Sequence, residues 1–199
     1  MPRKKYGPHE VIEYRRKREG RTDYQRRIKL LRSGKPRLVV RPSLKHVRVQ
    51  VIQAELDGDQ TLASAFSKEL SNFGWKGQTS NTPSAYLVGL LGGFRAKKTG
   101  VEECILDIDR HVPVPEAKIF AALKGTLDAG VTISHEEDVI PSEERIQGRH
   151  IAQYAESLKS DDEAYQNQFS KYLENDLAPE DLPEHFNQVK QAIITKYGG

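Results

Sequence analysis

Apolar residues recur along this chain at spacings that name its elements. Tyr24, Ile28 and Leu31 fall at i, i+4 and i+7, which predicts a helix running to about Ser33 and halted by Gly34, with Pro36 beyond it. Thr22-Asp-Tyr-Gln25 reads as its capping box, the Thr hydroxyl and the Gln side chain satisfying the first free amides. The three apolar residues are then the buried stripe, and Arg26, Arg27, Lys29 and Arg32 lie outside it. Alternation replaces this period at Arg37 to Arg41 (RLVVR) and His46 to Ala54 (HVRVQVIQA), two strands joined by a Pro42-containing turn. Val47, Val49 and Val51 share one face of the second strand, while His46, Arg48 and Gln50 share the other. The pattern predicts a sheet that packs helices on its apolar side and offers cations on the opposite side.

A helical period returns at Thr61 to Asn72, with Leu62, Ala65, Phe66 and Leu70 on one face. A polar loop with the only Trp, Trp75, leads to Thr82 as a cap and Pro83 at a helix start. That helix is apolar almost all round, so it is expected to be buried. Gly92 and Gly93 inside it lack the Lys of a phosphate-binding loop and suit close helix packing instead. Glu103 to Asp109 (ECILDID) reads as a short strand, Glu116 to Asp128 as a helix with Ile119, Phe120, Leu123 and Leu127 inward, and Val131 to Ser134 as a last strand. Ser160-Asp-Asp-Glu163 is a second capping box, followed by Tyr165, Phe169, Tyr172 and Leu173 at helical spacing. Pro183 precedes Phe186, Val189, Ile193 and Tyr197, another amphipathic set. The order predicts an α/β fold: a small layered domain with a mixed sheet packed by helices, a basic N-terminal extension and a helical C-terminal extension. The expected division is 1–34 for the basic arm and helix, 35–135 for the α/β core domain and 136–199 for the acidic, mainly helical extension.

Charge changes this picture most. Met1 to Arg48 holds 17 Lys/Arg against 4 Asp/Glu, a net of +13, while the remaining 151 residues carry a net of −10. The whole-chain +3 therefore conceals a basic arm on an acidic body. A charge run is ordinarily a solvated face. One of this density repels itself, and it points to a polyanion whose condensed counterions it can release. The acidic C-terminal part should not lie on phosphate and is expected to face proteins or solvent. The low apolar content of 37% gives a sizeable share of the chain to surface, arm or interface, and one cysteine, Cys104, excludes a disulfide framework and fits a reducing compartment. No apolar run approaches a membrane span of about 20 residues, and no secretion signal follows the basic start, so a cytoplasmic location is expected.

Catalytic readings are thin. Asp107 and Asp109 sit two apart on a predicted strand and would point the same way, as a two-metal nuclease could use, but such a site needs further carboxylates and the first strands supply Arg, Lys and His instead. The six histidines are scattered without paired ligand spacing, and no nucleophile elbow is present. No enzyme, no metal and no cofactor are expected, nor a small-molecule substrate.

Three strings carry a family resemblance: YRRKREGRTDYQRRIKLLRSGKPRLVVRPSLKHVRVQVI, NTPSAYLVGLLGGFRAKKTGVEECILDIDRH and KIFAALKGTLDAGVTISHEEDVIPSEERIQGRHIAQYA. In order and together they cover most of residues 14 to 155, and they closely resemble large-subunit ribosomal protein L-eighteen of the archaeal and eukaryotic type. The resemblance implies a structural protein that binds 5S rRNA and helps attach it to the large-subunit rRNA in the central protuberance, with neighbouring ribosomal proteins as further partners. Carried over by position, it implies an RNA-facing set of Lys4, Lys5, Arg15, Arg16, Lys17, Arg18, Arg21, Arg26, Arg27, Arg37, Arg41, Lys45, His46 and Arg48. Tyr6, Tyr14 and Tyr24 are candidates for stacking on exposed bases. Rival readings are a general RNA chaperone or assembly factor without a fixed rRNA site, a nuclease built on Asp107 and Asp109, and a protein-interaction module centred on the acidic tail.

Overall fold

The computed structural model describes residues 12–198, and Lys4, Lys5 and Tyr6 lie outside them. Its centre is a five-stranded mixed sheet in the order β3-β2-β1-β4-β5. β1 (Arg37–Pro42) and β3 (Gly58–Phe66) each pair antiparallel with β2 (Val47–Glu55), which lies between them. β4 (Glu103–Asp107) lies parallel to β1, and the two-residue β5 (Thr132–Ile133) lies parallel to β4. The predicted facing of β2 holds: Val47, Val49 and Val51 are fully buried, Arg48 is exposed and Gln50 half-buried. β1 is central and buried on both faces, Leu38 and Val40 on the core side and Val39 on the other.

The helices cover one face. α3 (Thr82–Lys98) is buried almost throughout, and α4 (Lys118–Asp128) crosses it at backbone distance. A Cβ on Gly89 would stand 2.0 Å from the carbonyl oxygen of Ala122, and one on Gly125 would stand 2.1 Å from that of Tyr86. Gly93 likewise admits α4, whereas Gly92 admits Val49 of β2. The chain then forms α5 (Glu143–Gln147), α6 (Arg149–Leu158), α7 (Asp162–Glu174) and α8 (Leu182–Tyr197). Leu182, Phe186, Val189 and Ile193 of α8 join the same apolar core as the sheet and α3. Two short helices, α1 (Arg15–Arg18) and α2 (Tyr24–Leu31), precede β1. Among the described residues no helix is long and apolar enough to cross a membrane.

Four expectations are corrected. Thr61 to Phe66 is strand, not helix, and only Ser67–Phe73 coils, as a 3-10 turn. The reason is the tight Leu56-Asp57-Gly58 reversal, with Gly58 at φ +142°, which brings β3 back into antiparallel register on β2. Pairing then selects the alternation that buries Ala63 and Ala65, and the helical spacing of Leu62, Ala65 and Phe66 is not used. The caps also shift by one residue, to Asp23, Asn81 and Asp161, whose side chains accept from the amides of Arg26, Ser84 and Ala164. β4 stops at Asp107, because Asp109 turns to φ +52°, and α4 starts at Lys118 after Glu116 at φ +60°. Finally, α2 buries no residue, and Ile28 is 51% exposed.

Candidate nucleic-acid interface

The sheet face away from α3 and α4 is where the cations gather. Pairing brings Arg41 of β1 directly opposite Arg48 of β2, and Arg48 opposite Phe66 of β3. Like charges facing each other across an antiparallel pair are destabilising in isolation. Arg41 has Asp109 at 3.3 Å, while Arg48 forms no ion pair among the described residues. The Arg48 guanidinium instead lies 5.2 Å from the centroid of the Phe66 ring, a cation–π contact. His46 packs its ring on the same Phe66 at 4.8 Å, with Nδ1 3.1 Å from both Ser67 Oγ and Thr79 Oγ1. Lys45, beside it in the turn, is exposed.

α2 is tied to this face by arginines rather than by a core. Arg26 Nη1 donates to the carbonyl oxygen of Asp109 at 2.9 Å, and Arg27 Nη2 donates to Asp59 Oδ1 at 2.7 Å. Arg37, beneath them, donates to Asp59 Oδ2 at 2.8 Å and to Asp107 Oδ2 at 2.6 Å. A cleft of about 360 Å³ remains between α2 and the strands, lined by five arginines and four aspartates. Burial opposes ionisation of Asp59, but hydrogen bonds and charge from Arg27 and Arg37 hold its carboxyl below its ordinary value. The hydrogen bond that Arg27 donates to Asp59 raises the pKa of its guanidinium in turn, against burial.

The described part of the arm ahead of α2, residues 12–23, is largely exposed and internally paired. Arg15 and Arg21 meet Glu19, Lys17 meets Glu13, and Arg16 Nε donates to Thr22 Oγ1. Such surface pairs contribute about 0–1 kcal/mol each and yield readily to a stronger anion. Arg18 is exposed, and Arg110 reaches from the loop after β4 to the carbonyl oxygen of Gly20. Tyr14 and Tyr24 pack on each other, ring centroids 5.2 Å apart.

The structure thus brings Arg26, Arg27, Arg41, Lys45, His46 and Arg48 to the surface around one face, with Arg15, Arg16, Lys17, Arg18 and Arg21 on the arm leading to it. Arg37 is the correction: at 3% exposure with two carboxylate partners, its guanidinium is committed inside the protein. Asp107 is its buried counter-ion, and Asp109, off the strand at φ +52°, still lines the same cleft and pairs with Arg41. Phe66 and Asp59 escaped the sequence reading, because their roles depend on a hairpin whose sole signal was Asp57-Gly58.

Fold and face define a class, a small mixed-sheet α/β scaffold with an open, arginine-bearing face. A family model described as ribosomal large subunit proteins 60S L5, and 50S L18 matches residues 10–103. The large ribosomal subunit protein uL18 of Aeropyrum pernix is 50% identical over 193 residues, spanning 96% of this chain and 90% of that protein. The chain belongs to the uL18 family of large ribosomal subunit proteins. Membership makes it a structural, non-enzymatic constituent of the large ribosomal subunit in the cytoplasm, associated with rRNA and other ribosomal proteins.

Proposed function

We propose that this chain binds 5S rRNA and helps attach it to the large-subunit rRNA in the central protuberance. One observation carries the reading. A helix bearing Arg26, Arg27 and Lys29 buries none of its residues, yet arginine contacts hold it over a sheet face that carries Arg41 and Arg48. A helix of eight residues is marginal alone. Its placement makes sense as a surface completed by a polyanion.

In this reading residues 1–34 are the RNA-seeking arm, 35–135 the rigid platform and 136–199 a buttress that meets proteins. The arm neutralises phosphates where RNA strands approach, and the sheet face fixes register through backbone, 2′-hydroxyl and loop-base contacts, because the A-form major groove is too narrow to enter. Arg37 acts from beneath, by holding Asp59, and through it Arg27, in place. The test is the salt dependence of binding to 5S rRNA by the full chain and by a chain lacking residues 1–23. With roughly six phosphates met, log K should fall with log salt at a slope of about −4 to −5, and the deletion should flatten it. An unchanged slope after the deletion would overturn the assignment of the arm.

A further inference from the structure

A second cleft, of about 270 Å³, lies where the β1–β2 turn, the loop before α3 and the end of α7 meet. Lys45, His46, Thr79, Ser80, Lys171 and Asn175 supply its polar walls, and among the described residues no carboxylate lines it. The cleft under α2 is different, since four aspartates there neutralise the arginines. Neither Lys45 nor Lys171 forms an ion pair among the described residues, although Lys171 stands on a helix whose neighbouring positions include Asp162, Glu163 and Glu174. Two uncompensated lysines in one depression of an otherwise acidic body constitute a local positive site.

The walls are fixed by hydrogen bonds between segments distant in sequence. Thr79 Oγ1 donates to the carbonyl oxygen of Lys45 at 2.6 Å, and Ser80 Oγ donates to that of Ser43 at 2.7 Å. Lys118 Nζ adds a third cation behind the wall, donating to Ser80 Oγ at 3.3 Å. Asn175 Nδ2 donates to the carbonyl oxygen of Lys76 at 2.9 Å, fastening α7 to the same loop. At the mouth Leu44 is 99% exposed, an apolar side chain with nothing to cover within the protein. On the other side His46 rests on Phe66, over which Arg48 lies, so the cleft continues the cationic strip of the open sheet face.

We propose that this cleft receives a single unstacked nucleotide of RNA, its phosphate between Lys45 and Lys171 and its base against Leu44 and the His46 ring. The proposal rests on the RNA-binding reading above and extends it to the C-terminal extension, whose lysine would then contact the RNA. The volume suits one nucleotide and not a helix, and single-stranded residues are the ones a protein can enclose. An acidic peptide is the rival occupant; continuity with the Arg48–Phe66 strip favours RNA.

The test uses the full chain with 5S rRNA at two salt concentrations, comparing Lys171→Gln and Lys171→Glu with Lys159→Gln, whose lysine pairs with Glu180 away from the cleft. Lys171→Gln should reduce the magnitude of the salt slope by roughly 0.7–0.9, Lys171→Glu should weaken binding by about tenfold or more at the lower salt, and Lys159→Gln should match the parent. RNA carrying 4-thiouridine should crosslink to peptides containing Lys45 or Lys171. Parent-like affinity and slope for both Lys171 variants, with the loss of binding on deleting 1–23 intact, would overturn the cleft and leave the arm standing. If RNA binding is unmoved while capture of a poly-glutamate peptide falls, the occupant is acidic protein and the proposal fails. Loss of salt dependence in neither the deletion nor the Lys171 variants would instead overturn the RNA reading itself.

Discussion

Arg37 donates a 2.6 Å hydrogen bond to Asp107, and the two side chains are 3% and 10% exposed. They stand on neighbouring parallel strands, Arg37 at the start of β1 and Asp107 at the end of β4. The pair explains why an aspartate with nuclease-like spacing performs no chemistry: its carboxylate balances a buried guanidinium.

Removing one partner leaves the other charge buried, which costs about 3–5 kcal/mol. Asp107→Ala should therefore destabilise by that order in a urea titration, softened only by the remaining Asp59 contact. The double variant Arg37→Met/Asp107→Leu should lose much less than the two single changes together. Additive losses would show that the pair is not coupled.

A second expectation concerns acid. His185 Nε2 accepts from the backbone amide of Lys76 at 3.0 Å, and its ring stacks on Trp75 at 5.3 Å. Burial first, then the nearby Lys76 charge, lowers the His185 pKa from its ordinary 6.5. A lowered folded-state value means the neutral ring is favoured by folding. Its stabilisation is complete above the unfolded-state pKa and is lost as pH falls through the folded-state one. Fluorescence of Trp75, the only tryptophan, should change with pH below about 6.5 in the native chain and lose that step in His185→Gln. A native chain with no step in that range would show that the ring does not titrate against the amide.

Opposite consequences are expected from trimming the two ends. Among the described residues, 12–23 hold no buried side chain but include Asp23, the cap of α2, so deleting 1–23 should cost only about 1 kcal/mol. α8 buries Leu182, Phe186, Val189 and Ile193 at 0–2% exposure, each worth roughly 1.5–3 kcal/mol. That total rivals the whole stability of an ordinary domain, about 5–15 kcal/mol. Deleting 182–199 should leave no cooperative melt by circular dichroism; a sharp transition would show that α8 is dispensable.

These contrasts also show what the chain discloses in one dimension. Val47, Val49 and Val51 betray β2 and its facing because alternation and burial coincide there, and α3 is legible because a helix apolar all round has nowhere to go but inside. β3 is illegible because Leu62, Ala65, Phe66 and Leu70 satisfy a helical period by chance, and only pairing with β2 decides against it. The cations of the candidate interface are visible as residue types, and most reach the surface. The burial of Arg37 is not visible, since its partners Asp59 and Asp107 lie 22 and 70 residues away. The lysine of the second cleft is hidden for a similar reason: it sits in an acidic stretch, and only the fold carries it to Lys45.

The most direct test of the central claim is a competition titration of the full chain with 5S rRNA against tRNA, a similarly structured RNA, at low and high salt. A sited 5S-binding protein predicts a strong preference for 5S rRNA that persists as salt rises, because shape and base contacts outlast counterion release. Equal affinity for both RNAs, falling equally with salt, would contradict the account and reduce the arm to a polycation.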